Sequence, residues 1–282
     1  MWKRKKVVRY PAVSSLSLVS VRDAAGFDVG VVWQPGFAQG TIQCSVEGFS
    51  RARVQRWVER VCAVDGVLVV GVSRSNCDAS VQGWVTVDTG KAKQDDFLVA
   101  LAIKAPSLYA PQDDLVWVPA DKNAVIERVN RVVAPSGELV FPPQVQVVDE
   151  SVESVMLAEE SLVVFEVMAQ DDVGVVEEIV GVCEAVREFV VVRWVELFRP
   201  ADPAYVEQHA DVVPYRRSMV LVISGDTATE CEQAVSVVLG MVSARARLRI
   251  TRLWGRQHMG VFLSAGLPVY GWQQSQLISE GR

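Results

Sequence analysis

Residues 39–72 read QGTIQCSVEGFSRARVQRWVERVCAVDGVLVVGV, and their periodicity changes twice. Ile42, Cys44 and Val46 alternate with other residues, the two-residue period of a strand with one buried face. Ser50 is a residue type that caps helices. After it, Val54, Trp57, Val58, Val61 and Cys62 recur at helical spacing, while Arg51, Arg53, Arg56 and Arg60 take the other faces. This predicts a helix to about residue 64, ended by Gly66. Residues 67–72 form a continuous apolar run bounded by glycines, as expected of a central strand covered on both sides.

Working outward, residues 15–21 (SLSLVSV) alternate as a half-buried strand, residues 23–26 form a turn, and residues 29–33 continue in strand style. Strand, strand, helix, strand makes up half or more of a ferredoxin-like split unit. Residues 83–87 and 97–103 fit two further strands, or a strand and a helix. The composition shifts at residues 105–121, which carry three prolines. Val125, Val129 and Val132 then give residues 122–133 helical spacing, and Pro135, Ser136 and Gly137 stop it.

The second half repeats the style of the first. Residues 162–168 read as a strand and residues 171–186 as a helix burying Val173, Val176, Val180 and Cys183. Residues 189–198 and 219–223 read as strands. Asp226 is expected to cap a helix in which Thr227 and Glu230 form a capping box and Cys231, Ala234, Val235, Val238, Leu239 and Val242 face inward. The expected class is therefore α/β (α+β): two lobes of mainly antiparallel sheet backed by amphipathic helices, built from ferredoxin-like split units. The expected division is a basic tail at 1–14, lobes at 15–120 and 121–268, and a carboxyl-terminal tail at 269–282.

Half of the 282 residues are hydrophobic, enough for a sizeable core. The apolar excess is mostly valine, a β-branched residue that favours strands. A net charge of −6 argues against a general nucleic-acid binder, which needs a basic footprint to displace counterions. The five cysteines, at 44, 62, 77, 183 and 231, are odd in number, scattered and free of Cys-x-x-Cys spacing. Cys62, Cys183 and Cys231 fall at apolar helix positions, which predicts buried free thiols. No metal site and no cofactor are expected from this pattern. Lys3, Arg4, Lys5 and Lys6 form a basic start, either a solvated terminus or a contact with an anionic membrane surface. No run reaches the length of a spanning helix, so a cytoplasmic location is expected.

Residues 245–270 read RARLRITRLWGRQHMGVFLSAGLPVY. Arg245, Arg247 and Arg249 alternate with Ala246, Leu248 and Ile250, which predicts a strand carrying its guanidinium groups on one face. That face is either simply solvated or docks an acidic partner. Gly255 marks a turn, and residues 257–266 fit a short helix ended by Leu267 and Pro268. Trp254 fits an aromatic anchor for a partner or a core contact.

A basic strand ending in Leu248, Arg249, Leu253, Trp254, Gly255 and Gln257, then Phe262, Leu267 and Pro268, resembles the end of the amino-terminal, non-ATPase domain of the large ATPase of type IV secretion and conjugation systems. It is most similar to a stand-alone actinobacterial relative found in conjugative-transfer clusters. The order of turn, strand, Trp-bearing helix and Val-rich strand over residues 39–72 also fits that family. Such relatives begin with a pair of membrane-spanning helices, whereas this sequence begins MWKRKKVVRYPAV, so a membrane location is not carried over by matching residues.

The resemblance implies a non-enzymatic scaffold or adaptor of a conjugation or type IV secretion-like apparatus, docking its ATPase or inner-membrane platform, cytoplasmic or peripheral to that membrane. The expected partner-binding residues are Arg245, Arg247, Arg249, Arg252, Trp254, Arg256, Gln257 and Phe262. The alternatives are the soluble part of a type VII secretion membrane component and a small hydrolase assembled around His209 or His258. Single-stranded DNA binding through the arginine face is a third. Residues 83–91 lack the spacing and hydroxyl residue of a P-loop, and Gly71, Ser73 and Ser75 miss the last glycine of a nucleophile elbow. Paired acids such as Asp95 with Asp96 and Glu177 with Glu178 point apart on a helix or strand, as solvated faces and caps do.

Overall fold

The computed structural model describes residues 6–7, 15–35, 37–47, 50–78, 80–111, 115–134, 139–143, 146–151, 153–157, 160–168, 172–201 and 215–268. In chain order the first half contains β1 (Lys6–Val7), β2 (Ser17–Arg22), β3 (Asp28–Trp33), β4 (Gln39–Glu47), α1 (Arg51–Cys62), β5 (Val67–Ser75), β6 (Val81–Asp88), α2 (Gln94–Tyr109), β7 (Val116–Pro119) and α3 (Lys122–Val133). The second contains β8 (Gln146–Glu150), β9 (Val155–Leu157), β10 (Glu160–Val167), α4 (Val173–Ala185), β11 (Val191–Pro200), β12 (Tyr215–Gly225), α5 (Ala228–Met241), α6 (Ala244–Arg247), β13 (Ile250–Arg252) and α7 (Gln257–Ser264).

The two halves have one topology. In the first, β4, α1, β5, β6, α2 and β7 place their strands side by side as β7, β4, β6, β5; in the second, β10, α4, β11, β12, α5 and β13 give β13, β10, β12, β11. Both are the antiparallel arrangement of a ferredoxin-like split unit, so the expected class is borne out. A hairpin precedes each unit, β2 with β3 and β8 with β9, and a helix follows each, α3 and α7. The units join where β5 pairs with β11, Arg193 opposite Ser75 and Val195 opposite Ser73, which brings the described strands into one sheet. The expected boundary at residues 120 and 121 falls between β7 and α3. That helix packs on β3, in the hairpin before the first unit, and against α7, which follows the second.

The central strands β5, β6, β10, β11 and β12 are buried on both faces. On one side α1 and α2 close a core with Val67, Val70, Val72, Val85 and Ile42, and α4 and α5 close another with Val163, Phe165, Trp194, Leu221 and Ile223. On the opposite side α3 and α7 share a third core fed by both units: Val69, Trp84, Val129, Leu162, Leu197, Val222, Phe262 and Leu263. A bulge between Val67 and Val69 shifts the alternation so that Val67 and Val70 share one face of β5 while Val69 takes the other, and the α1 stripe predicted from sequence is the one buried.

Several local expectations are corrected. Ser50 occupies the α1 N-cap position with extended backbone but makes no side-chain cap bond. Of the two alternatives open for residues 83–87 and 97–103, the strand with a helix is the one formed, as β6 and α2, and α2 runs through Pro106 with Leu101, Ala105, Leu108 and Tyr109 buried on either side of it. Val173, expected inside, is 55% exposed in the first turn of α4, which buries Val175, Val176, Ile179, Val180 and Cys183 instead. Thr227 rather than Asp226 caps α5, in the capping box with Glu230 that the sequence predicts. The strand expected at residues 189–198 starts at Val191, and Phe189 stays exposed.

Candidate functional site

The largest correction concerns residues 245–250. Their alternation predicts a strand, yet residues 244–247 form α6 and the strand β13 is confined to Ile250–Arg252. The cause is local capping combined with a distant bond. The Ser243 side chain accepts from the Ala246 N–H, while the Ser243 N–H and hydroxyl both donate to Glu178 on α4. Ala246 is buried beneath, and the arginines do not share a sheet face.

The predicted partner-binding residues consequently separate into two groups. Gln257 is fully buried, taking the Val164 N–H on its Oε1 and donating to the Leu253 carbonyl. Phe262 is also fully buried, in the core shared by both units. These two hold α7 to the sheet and are closed to a partner. Arg252 is half-buried against Phe165 and Trp254, pairs with Glu232, and is likewise committed to the fold.

The second group lies at the surface. Arg245 pairs with Asp172 while 75% of its side chain stays exposed, so the pair costs little to exchange. Arg247, Arg249 and Arg256 are exposed. Among them stand Leu248, 86% exposed, and Trp254, 53% exposed, bracketing β13. Sequence reasoning included Trp254 but assigned Leu248 to the inward face of a strand.

Lys6 opens β1, whose backbone pairs with β8 at Val147; Lys3, Arg4 and Lys5 lie outside the described residues. His209 also lies outside them. His258 packs edge-on against Phe262 with ring centroids 5.9 Å apart. Among the described residues, no group of three or more His, Cys, Asp and Glu is placed to hold a metal, and no helix is long and apolar enough to cross a membrane. All five cysteines are free thiols, four of them buried and Cys77 exposed.

A second feature is absent from the sequence reading. On the face covered by α3 and α7, a cavity of about 170 Å³ opens at the seam between the units. β5 and β6 contribute Ser73, Arg74, Ser75 and Gln82; β11 contributes Arg193; α3 contributes Arg128, Arg131 and Val132; Cys77, Asp78, Ser80 and Ser264 complete it. Arg193 keeps some surface, but its guanidinium is deep enough that burial pushes its pKa down, as burial also does for Arg128. Asp78 is held below the usual carboxylate range, first by hydrogen bonds from the Ser80 hydroxyl and N–H at 2.7 and 2.8 Å, and secondarily by Arg131 and Arg193. These residues come from separate elements of both units, so no local motif marks them.

No protein-family model matches the chain, and no curated protein matches it in sequence. Among solved structures, a variant of Physcomitrella patens BBE-like 1 superposes with a TM-score of 0.38 at 10% identity, over 94% of this chain and 62% of that one. A glycopeptide hexose oxidase complexed with teicoplanin gives a TM-score of 0.33 at 9% identity, over 82% and 55%. The 6-hydroxy-D-nicotine oxidase of Arthrobacter nicotinovorans gives 0.32 at 11%, over 83% and 54%. The chain thus spans less than two thirds of each of these proteins, and TM-scores this low carry no argument about activity.

Proposed function

We propose that this protein is a non-enzymatic adaptor that docks an acidic segment of a protein partner on the edge formed by α6, β13 and the turn at Gly255. In the setting implied by the resemblance of its tail, that partner is the ATPase or inner-membrane platform of a conjugation or type IV secretion-like apparatus. The protein then works in the cytoplasm or at the membrane periphery. One observation carries the reading: Leu248 and Trp254 are held in solvent among Arg247, Arg249 and Arg256, in a fold that buries most of its large apolar side chains. Exposed apolar side chains rimmed by cations offer both the desolvation energy and the charge complementarity of a docking edge.

The test is affinity purification of the tagged full chain from membrane extracts, beside a Leu248→Ser, Trp254→Ser double variant. Transfer-apparatus subunits should co-purify with the parent, be lost with the variant, and be held less tightly as salt rises. Recovery of no such subunits, or equal recovery by both proteins, rejects the reading. Recovery of type VII machinery in their place reassigns the partner.

A further inference from the structure

The seam cavity holds more positive charge than the protein around it balances. Four arginines line it against one carboxylate, Asp78, but the Arg74 guanidinium lies over Trp194 toward α4 on the opposite face of the sheet, which leaves Arg128, Arg131 and Arg193 as the cations of the cavity. Arg74 is paired with Glu184 and Arg131 with Glu127, neither of which lines the cavity. The side chains of Arg128 and Arg193 have no ion pair and no hydrogen bond among the described residues; Glu127 and Asp121 act on Arg128, and Glu160 and Asp78 on Arg193, only from beyond pairing distance, and the Nη1 of Arg128 is buried without a partner. A guanidinium taken out of water without a counter-charge is costly. Two of them at one polar cavity, one from each unit's side of the seam, form a place prepared for an anion.

The other donors narrow the chemistry. The hydroxyls of Ser73, Ser75, Ser80 and Ser264 are committed to the Ser264 carbonyl, the Val192 carbonyl, Asp78 and the Val261 carbonyl in turn, which leaves the guanidinium groups and the Gln82 amide as the groups that can turn to a ligand. Planar, multidentate donors arriving from the sheet floor and from α3 suit a tetrahedral oxyanion with several acceptor oxygens better than a two-oxygen carboxylate. The volume is below the roughly 300–1,000 Å³ of drug-sized sites, and it admits a phosphoryl group with a short organic substituent.

We propose that this cavity binds a small soluble phosphate monoester, with Arg128 and Arg193 as its charge partners and Arg131 and Gln82 at its rim. This site is separate from the docking edge, and neither proposal depends on the other.

Cys77 lines the same cavity and is the exposed thiol of the five, so its alkylation by iodoacetamide reports occupancy directly. Inorganic phosphate and glycerol 3-phosphate should slow that reaction in the native full chain, while chloride at equal ionic strength should not. Arg193→Gln and Arg128→Gln should each raise the phosphate concentration needed for protection by about tenfold or more, the loss expected for a charged hydrogen-bonding partner. If either variant fails to fold, Arg131→Gln, at an exposed position, should still weaken protection, and the parent measurement stands without any variant. Labelling that is indifferent to phosphate, or slowed equally by chloride, overturns the proposal. Protection by vesicles containing phosphatidic acid but not by either soluble phosphate also overturns it, in favour of a lipid headgroup.

Discussion

Gln43 on β4 and Gly266 beyond α7 stand 223 positions apart in sequence and are joined directly. The Gln43 Nε2 donates to the Gly266 carbonyl at 3.1 Å and to the Ala265 carbonyl at the same distance. Gln43 belongs to the first unit and α7 to the second, so one buried amide satisfies the carbonyls at the helix end and fastens the units together. Gln43→Leu should destabilise the protein by about 1–3 kcal/mol, because it strands buried acceptors. The urea midpoint should fall with an unchanged slope. A midpoint equal to that of the parent would show that those carbonyls find other donors.

Gly71 meets Trp84 across the β5 and β6 pair, and the indole lies over the glycine so closely that a Cβ there would stand 2.1 Å from the ring. Gly266, at φ +70°, also approaches this indole, and a Cβ added there would be 3.1 Å from Trp84. Gly71→Ala should therefore cost about 1–3 kcal/mol or more through overpacking and shift Trp84 fluorescence. A variant with parental stability and spectrum would contradict this packing.

Two arginines of the tail should differ sharply. Arg245→Ala removes an exposed ion pair with Asp172 and should change stability by no more than about 1 kcal/mol. Arg252→Ala strips a half-buried side chain from Phe165, Trp254 and Glu232 and should cost about 1–2 kcal/mol. Chemical denaturation of the two variants side by side gives the comparison, and equal losses would contradict it.

Burial pushes the thiols of Cys44, Cys62 and Cys183 up to about 12 and that of Cys231 up to about 11. In the unfolded chain a thiol ionises near pH 8.5. The folded state therefore keeps protons that the unfolded state has lost, and stability must fall as pH rises above about 8.5 toward the folded values. Below that range these thiols leave stability independent of pH. An aromatic disulfide reagent should react with one thiol in the native protein, Cys77, and with all five only after unfolding. Rapid reaction of a second thiol in the native state would refute the packing around it.

The α1 stripe of Val54, Trp57, Val58, Val61 and Cys62, the two-sided burial of β5 and the Thr227–Glu230 capping box were legible because each is written in spacing along a single element. The five-residue alternation from Arg245 to Arg249 misled because so short a run fits one turn of helix as well as a strand. The bonds from Ser243 to Glu178, 65 positions away, belong to the helical alternative. Gln257 resembled a surface recognition residue for a similar reason, since its bond to the Val164 N–H spans 93 positions.

By itself, the sequence determined two valine-rich units of split β-α-β type, four buried helical faces and buried thiols, because hydrophobic periodicity and capping act within a few residues of chain. Tertiary structure alone decided that β5 and β11 fuse the units into one sheet, that α3 and α7 close a core common to both, and that Leu248 faces solvent. It also decided that Ser75 lies beside Arg193 and under α3. Strand pairing and cavity lining depend on which surfaces meet after folding, and residues so far apart carry no mark of one another in their local pattern.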